Sequence, residues 1–97
     1  MTTAARMTTP PDVSEQVREA MGLLWYPWGG LSYWQATILC HRLAGETYAA
    51  IAQHYERSEG AVRERMCAAA RLFDSDPSNL VRIAAQDGVP AIPLPKT

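Results

Sequence analysis

Four side chains in this sequence belong to types that often carry catalytic or metal chemistry: Cys40, His41, His54 and Cys67. Zinc sites hold cysteines and histidines at short, regular spacings, and neither a C-x-x-C nor an H-x-x-x-H pair occurs here. Cys40 and His41 are adjacent, so in a helix they would point from different faces. A catalytic Cys–His pair also needs an orienting third group, and none is nearby. We therefore predict no enzymatic activity, no metal and no cofactor.

The charged residues from Ser58 to Arg65 indicate a different chemistry, contact with DNA. Serine is a preferred helix cap, and the seven positions after it hold two arginines, two glutamates and a glycine. Arginine binds guanine edges and phosphates, and glutamate accepts a hydrogen bond from cytosine N4. A helix that starts in this way has the side chains of a DNA-reading helix.

The elements around these residues must present them to a partner. The pattern predicts a short helix over residues 47–54, a three-residue turn and a longer helix over residues 59–73, which is the layout of a helix-turn-helix. Apolar Ile51, Val62 and Met66 would hold the two helices together. Outward polar residues then remain accessible at the start of the second helix.

The stretch GETYAAIAQHYERSEGAVRERMCAAARLF, residues 45–73, resembles region four of extracytoplasmic-function-type sigma factors and, more loosely, LuxR-type DNA-binding domains. Ser58-Glu59-Gly60, Val62, Arg65 and Ala69 agree with the sigma pattern in register. The resemblance implies a small transcriptional regulator whose second helix enters the major groove of promoter or operator DNA, with RNA polymerase as a further partner. Carried over by position, the implied DNA-binding residues are Thr47, Ser58, Glu59, Gly60, Arg63, Glu64 and Arg65.

The charge of the chain is low for a DNA-binding protein. The formal net charge is −1, and residues 31–73 carry five arginines against four glutamates. Where the sigma pattern has arginine, alanine, arginine, this chain has three alanines at residues 68–70. Phosphate contacts supply most non-specific affinity, so a monomer should bind duplex DNA weakly. A homodimer would add a second half-site.

The alternative interpretation is a protein-interaction module on the same fold, which binds a sigma or anti-sigma protein, RNA polymerase or another regulator. The smooth alanine stretch would let another helix approach, although alanines are also common helix filler. The aromatic residues near the Pro-Gly break either anchor a partner or form a core cluster. The predicted partner-binding residues are Tyr26, Trp28, Cys67, Ala68, Ala70 and Arg71.

Helix signals along the chain predict an all-α fold, a compact bundle of about five helices. Residues 1–11 are predicted to be a disordered leader, residues 12–87 the helical domain and residues 88–97 an extended, proline-rich tail exposed to solvent. Asp12, Ser32, Thr47, Ser58 and Asp76 are the predicted caps of helices that begin near residues 13, 33, 48, 59 and 77. The first of these helices would run to residue 25 and the last to about residue 86. The inward faces are predicted as Trp34, Ile38, Leu39 and Leu43 on the second helix and Val62, Met66, Ala69 and Phe73 on the fourth.

Nothing in the sequence predicts a membrane protein or a secreted one. No run of 18 apolar residues occurs, and the N-terminal residues lack the apolar segment of a signal peptide. The two cysteines are too few for a disulfide framework. We predict a cytoplasmic protein that has no contact with membranes.

Overall fold

The computed structural model describes residues 30–95, and within them the chain forms four α-helices and no strand. They are α1 (Tyr33–Leu43), α2 (Tyr48–Tyr55), α3 (Glu59–Arg71) and α4 (Pro77–Gln86). The all-helical prediction is confirmed for this part of the chain, which holds four of the about five helices predicted for the whole. The predicted leader and the predicted helix over residues 13–25 lie outside the described residues. No helix within residues 30–95 combines the length and apolarity that a membrane crossing requires.

Each of the four helices begins at its predicted cap. The cap side chain accepts a hydrogen bond from the backbone N–H three residues later, which satisfies one of the unpaired amides of the first turn. The pairs are Ser32–Gln35 at 3.1 Å, Thr47–Ala50 at 3.0 Å, Ser58–Ala61 at 3.1 Å and Asp76–Asn79 at 2.8 Å. Gln35 also accepts from the Ser32 backbone N–H at 2.9 Å and completes the predicted capping box.

The core is built around α1, which is buried on more than one face. The predicted apolar face is only part of the buried surface of α1, because α2, α3 and α4 all contact this helix. The buried residues of α1 are Trp34, Ala36, Thr37, Ile38, Leu39, Cys40 and His41. Those of the other helices are Ile51 and Ala52, then Val62, Met66, Ala69 and Ala70, then Leu80 and Ala84. Leu43 and Phe73, predicted to face inward, are only partly buried.

Gly88 ends the turn after α4 with φ at 88°, and residues 89–95, which form neither helix nor strand, are not simply a solvent-exposed tail. Val89 is buried, and Ile92 and Leu94 pack against the core. The backbone N–H of Ile92 donates to the Cys40 carbonyl at 2.9 Å, and that of Leu94 donates to the Glu46 carboxylate at 3.0 Å. The prediction of a solvated terminus is therefore wrong for Val89, Ile92 and Leu94, which pack against the core, whereas Ala91 and Pro93 are exposed.

A buried histidine joins this segment to the helices. The Nδ1 of His41 lies 2.6 Å from the Ile92 carbonyl oxygen, and its Nε2 lies 2.7 Å from the Tyr55 hydroxyl. A carbonyl can only accept, so Nδ1 carries the proton and the Nε2 of the neutral ring accepts from Tyr55. One imidazole thus connects α1, α2 and the C-terminal segment.

Candidate nucleic-acid interface

The pair α2 and α3 positions the residues predicted to bind DNA. Three residues, 56–58, connect the two helices. Glu56 adopts a left-handed conformation, with φ at 58°, and ends α2. The backbone N–H of Arg57 donates to the Ala52 carbonyl at 2.9 Å and closes the turn. Ile51 and Met66, both 0% exposed, fix the two helices against the core.

All seven residues predicted to bind DNA are exposed at the surface. The hydroxyls of Thr47 and Ser58 are used as helix caps, so their contribution to a ligand would come through the first-turn backbone amides beside them. The others project from the first two turns of α3: Glu59, Gly60, Arg63, Glu64 and Arg65.

Glu59 and Arg63 form an ion pair one turn apart on α3. A carboxylate oxygen of Glu59 lies 2.7 Å from Nη2 of Arg63, and the two side chains are 50% and 53% exposed. Such an exposed pair contributes only about 0.3–0.5 kcal/mol. It nevertheless offsets the charge of Arg63, so this arginine is a weaker cation towards DNA than its sequence position suggests.

Arg63 also lies over Tyr48, the first residue of α2. The Arg63 guanidinium carbon is 4.7 Å from the centre of the Tyr48 ring, and that of Arg42 is 4.6 Å from it. Both arginines line one cleft of about 340 Å³. The other polar residues at its edge are Cys67, Asp76 and Ser78.

Arg63 and Arg65 belong to opposite flanks of α3. Because each residue of an α-helix turns the direction by about 100°, two residues two positions apart point about 200° away from each other. The buried Val62 and Met66 set the inward direction. Arg63 turns towards Tyr48, whereas Arg65 points away from it and forms no ion pair with any residue from 30 to 95. The outermost line between these flanks passes through Gly60 and Glu64.

Those predicted partner-binding residues that the structure describes do not together form one accessible surface. Ala70 is 1% exposed and belongs to the hydrophobic core, so its prediction as a contact residue is wrong. Cys67 and Ala68 are half-buried, and only Arg71 is well exposed. Ala70 follows Met66 by one turn and therefore shares its inward direction. Tyr26 and Trp28 lie outside the described residues.

Among the described residues, the cysteines and histidines do not form a cluster that could hold a metal ion. Within residues 30–95 no cluster of three or more His, Cys, Asp or Glu side chains is placed to hold an ion. Burial raises the pKa of the Cys40 thiol to about 12, which keeps it protonated and unreactive. His41 spends both ring nitrogens on structural hydrogen bonds.

Two residues of the cleft, Arg42 and Tyr48, were not among the predicted site residues. Arg42 is the next-to-last residue of α1, and Tyr48 starts α2, so their separation from Arg63 in sequence hides the contact. The available signal was Tyr48, an aromatic residue directly after the predicted cap Thr47. Their meeting depends on how α1 packs beside α2 and α3.

Comparison with known proteins assigns this chain to no family. No protein-family model matches it, and neither a curated protein nor a solved structure gives a match.

Proposed function

We propose that this chain is a small cytoplasmic DNA-binding transcriptional regulator in which α2 and α3 form a helix-turn-helix. The observation that carries the proposal is the exposure of all seven residues that the sigma-factor resemblance implies as DNA contacts. They lie at the starts of two consecutive helices whose opposite faces are locked into the core. In this arrangement α3 is the helix that enters the major groove.

The position of each side chain around α3 gives it a role. Gly60 and Glu64 lie on the outermost line and would face base edges, with the Glu64 carboxylate accepting from cytosine N4. Arg63 and Arg65, on opposite flanks, would approach the two phosphate backbones that border the groove. Phosphate contacts fix the register of the helix, and base contacts supply the sequence preference.

The number of cations limits the affinity of a monomer. Arg63 shares its charge with Glu59, and Arg65 is the only other arginine in the first two turns of α3. A homodimer on two half-sites would double these contacts. The protein would act by occupying a promoter or operator site or by contacting RNA polymerase, with no reaction of its own.

A fluorescence anisotropy titration of a labelled, mixed-sequence duplex tests this function. The wild-type chain should bind at about 50 mM salt and lose affinity steeply towards about 200 mM. The double variant Arg63→Ala with Arg65→Ala should lower the log–log salt slope by about 0.9 for each lost contact. Arg82→Ala, which removes an exposed charge from α4, is the matched control and should leave the slope unchanged. Absence of duplex binding at low salt would overturn the proposal.

A second candidate function is binding of a sigma or anti-sigma protein, RNA polymerase or another regulator through the end of α3. Leu72, which follows α3, is 62% exposed, so a partner that covers it would remove apolar surface from water. This candidate predicts that Leu72→Asp abolishes binding to purified RNA polymerase or sigma factor while duplex binding is absent in the wild type. Duplex binding that survives Leu72→Asp would favour the first function.

A further inference from the structure

We infer that the cleft between Arg42, Tyr48 and Arg63 is a binding site for one phosphate group. The inference rests on the proposed function in one respect, because a phosphodiester of the DNA backbone is one source of such a group. A free phosphate or phosphorylated small molecule is the other source. The shared chemistry is an oxyanion held by two guanidinium groups.

Arg42 has no anionic partner among the described residues, whereas Arg63 has the exposed Glu59. Arg42 donates from Nη1 to the Glu46 carbonyl at 2.6 Å, a neutral acceptor, and forms no ion pair with any residue between 30 and 95. Its Nε is buried and has no hydrogen-bond partner among the described residues. A buried donor without a partner is unfavourable, and the side chain that carries it lines the cleft.

Tyr48 holds both guanidinium groups at the cleft. Cation–π contact places the guanidinium carbon of Arg42 4.6 Å, and that of Arg63 4.7 Å, from the centre of the same ring, and both side chains line the cleft. Glu59 supplies a negative charge for Arg63, and Arg42 has no equivalent among the described residues.

The remaining groups at the cleft are compatible with an oxyanion. Ser78, in the first turn of α4, offers a hydroxyl donor, and the amino end of a helix favours negative charge. Asp76 is the one carboxylate at the edge, and its Oδ1 is occupied by the Asn79 backbone N–H at 2.8 Å. The exposed Glu59–Arg63 pair is weak enough for an incoming phosphate to replace it.

This assignment makes Glu59 a competitor for the ligand. Its carboxylate occupies Arg63 in the absence of an anion and is displaced when a phosphate enters. Removing its charge should therefore strengthen phosphate binding, whereas removing either arginine should weaken it. A merely structural role for the Glu59–Arg63 pair would not produce opposite effects from its two members.

The first experiment is an NMR titration of the full chain with inorganic phosphate, which follows the Nε–Hε signals of Arg42 and Arg63. Both signals should shift and saturate together. Glu59→Gln should tighten binding several-fold, and Arg42→Ala should abolish the shift at Arg63. Arg82→Ala, which removes an exposed charge from α4 outside the cleft, is the charge-matched control and should leave the titration unchanged. Shifts that are linear in phosphate, or equal for wild type and Arg42→Ala, would overturn the site.

The second experiment distinguishes the two sources with a labelled duplex. If the backbone supplies the phosphate, Arg42→Ala lowers the salt slope by about 0.9, and Arg42→Lys restores part of it. If the wild type binds phosphate but no duplex, the proposed function fails while the site stands with a free phosphorylated ligand. Duplex binding with an Arg42→Ala slope equal to wild type, together with no phosphate saturation, would overturn the site and leave the proposed function intact.

Discussion

Residues 38–41 of α1 and residues 59–65 of α3 are both helical, yet their polar groups are satisfied in opposite ways. In α1 the imidazole of His41 is 0% exposed and finds both its partners inside the fold. In α3 the charged groups are exposed and either pair weakly with each other or have no ion-pair partner within residues 30–95. The difference indicates that α1 serves folding stability and that, under the proposed function, the exposed side of α3 serves binding. Changes in α1 should cost folding free energy, and changes on the exposed side of α3 should alter binding.

Leu39→Ala should give the largest effect. Leu39 is 0% exposed at the centre of α1, so truncation removes apolar contacts and leaves a cavity. The free energy of unfolding should fall by about 2–5 kcal/mol. Chemical denaturation followed by circular dichroism measures it, with Leu72→Ala on the exposed side as the control. A loss below about 1 kcal/mol would mean that α1 is not the centre of the core.

His41→Phe should cost less than Leu39→Ala and more than any exposed substitution. Phenylalanine fills similar space but leaves the Ile92 carbonyl and the Tyr55 hydroxyl without their shared partner. We expect a loss of roughly 1–3 kcal/mol in denaturation. Amide exchange should also quicken at Ile92 and Leu94, because the C-terminal segment loses an attachment. Tyr55→Phe, which removes only one of the two hydrogen bonds, should give a smaller change.

The stability of the wild type should fall as the pH is lowered below about 6.5. Burial lowers the pKa of His41; the hydrogen bond to Ile92 and the charge of Glu46 oppose this, and His54 adds to the lowering. The unfolded chain therefore binds a proton at a pH where the folded chain does not, so stability rises with pH across this range. Melting temperatures from pH 5 to 8 test it. The His41→Phe variant should lose this component, and an unchanged slope in that variant would assign it to another group.

Gly60→Ala should have the smallest effect on stability and the opposite sign. Gly60 is in α3, and a Cβ built there meets nothing within 4 Å. Alanine should raise the free energy of unfolding by about 0.5–1 kcal/mol, because glycine loses more backbone entropy in a helix. Ala61→Gly is the matched reverse change. If Gly60 lets the backbone approach a base pair, the stabilised variant should bind duplex DNA less tightly, and equal binding would remove Gly60 from the interface.

Local signals made the helices predictable. All four predicted caps within the described residues are confirmed: Ser32, Thr47, Ser58 and Asp76. They could be predicted because a capping hydrogen bond reaches only three residues along the chain. Helix ends are less sharply specified, and α3 ends at Arg71 where residue 73 was predicted.

What the sequence could not predict are contacts across long separations. The His41–Ile92 hydrogen bond spans 51 residues, so nothing local shows that the proline-containing segment covers α1. The burial of Ala70 and the cleft of Arg42, Tyr48 and Arg63 could not be predicted for the same reason. The packing of α1 against α3 and α4 decides which side chains are covered or brought together.

The attachment of Ile92 to α1 has a consequence for the order in which the core is completed. A ribosome delivers residues 33–43 well before residues 89–94, so α1 waits with the Cys40 carbonyl and the His41 imidazole unpartnered by the segment that follows α4. Native packing around α1 can be completed only after Ile92 has left the exit tunnel. The contacts of Ile92 with Cys40 and His41 are therefore among the last that the described part of the chain can form during synthesis.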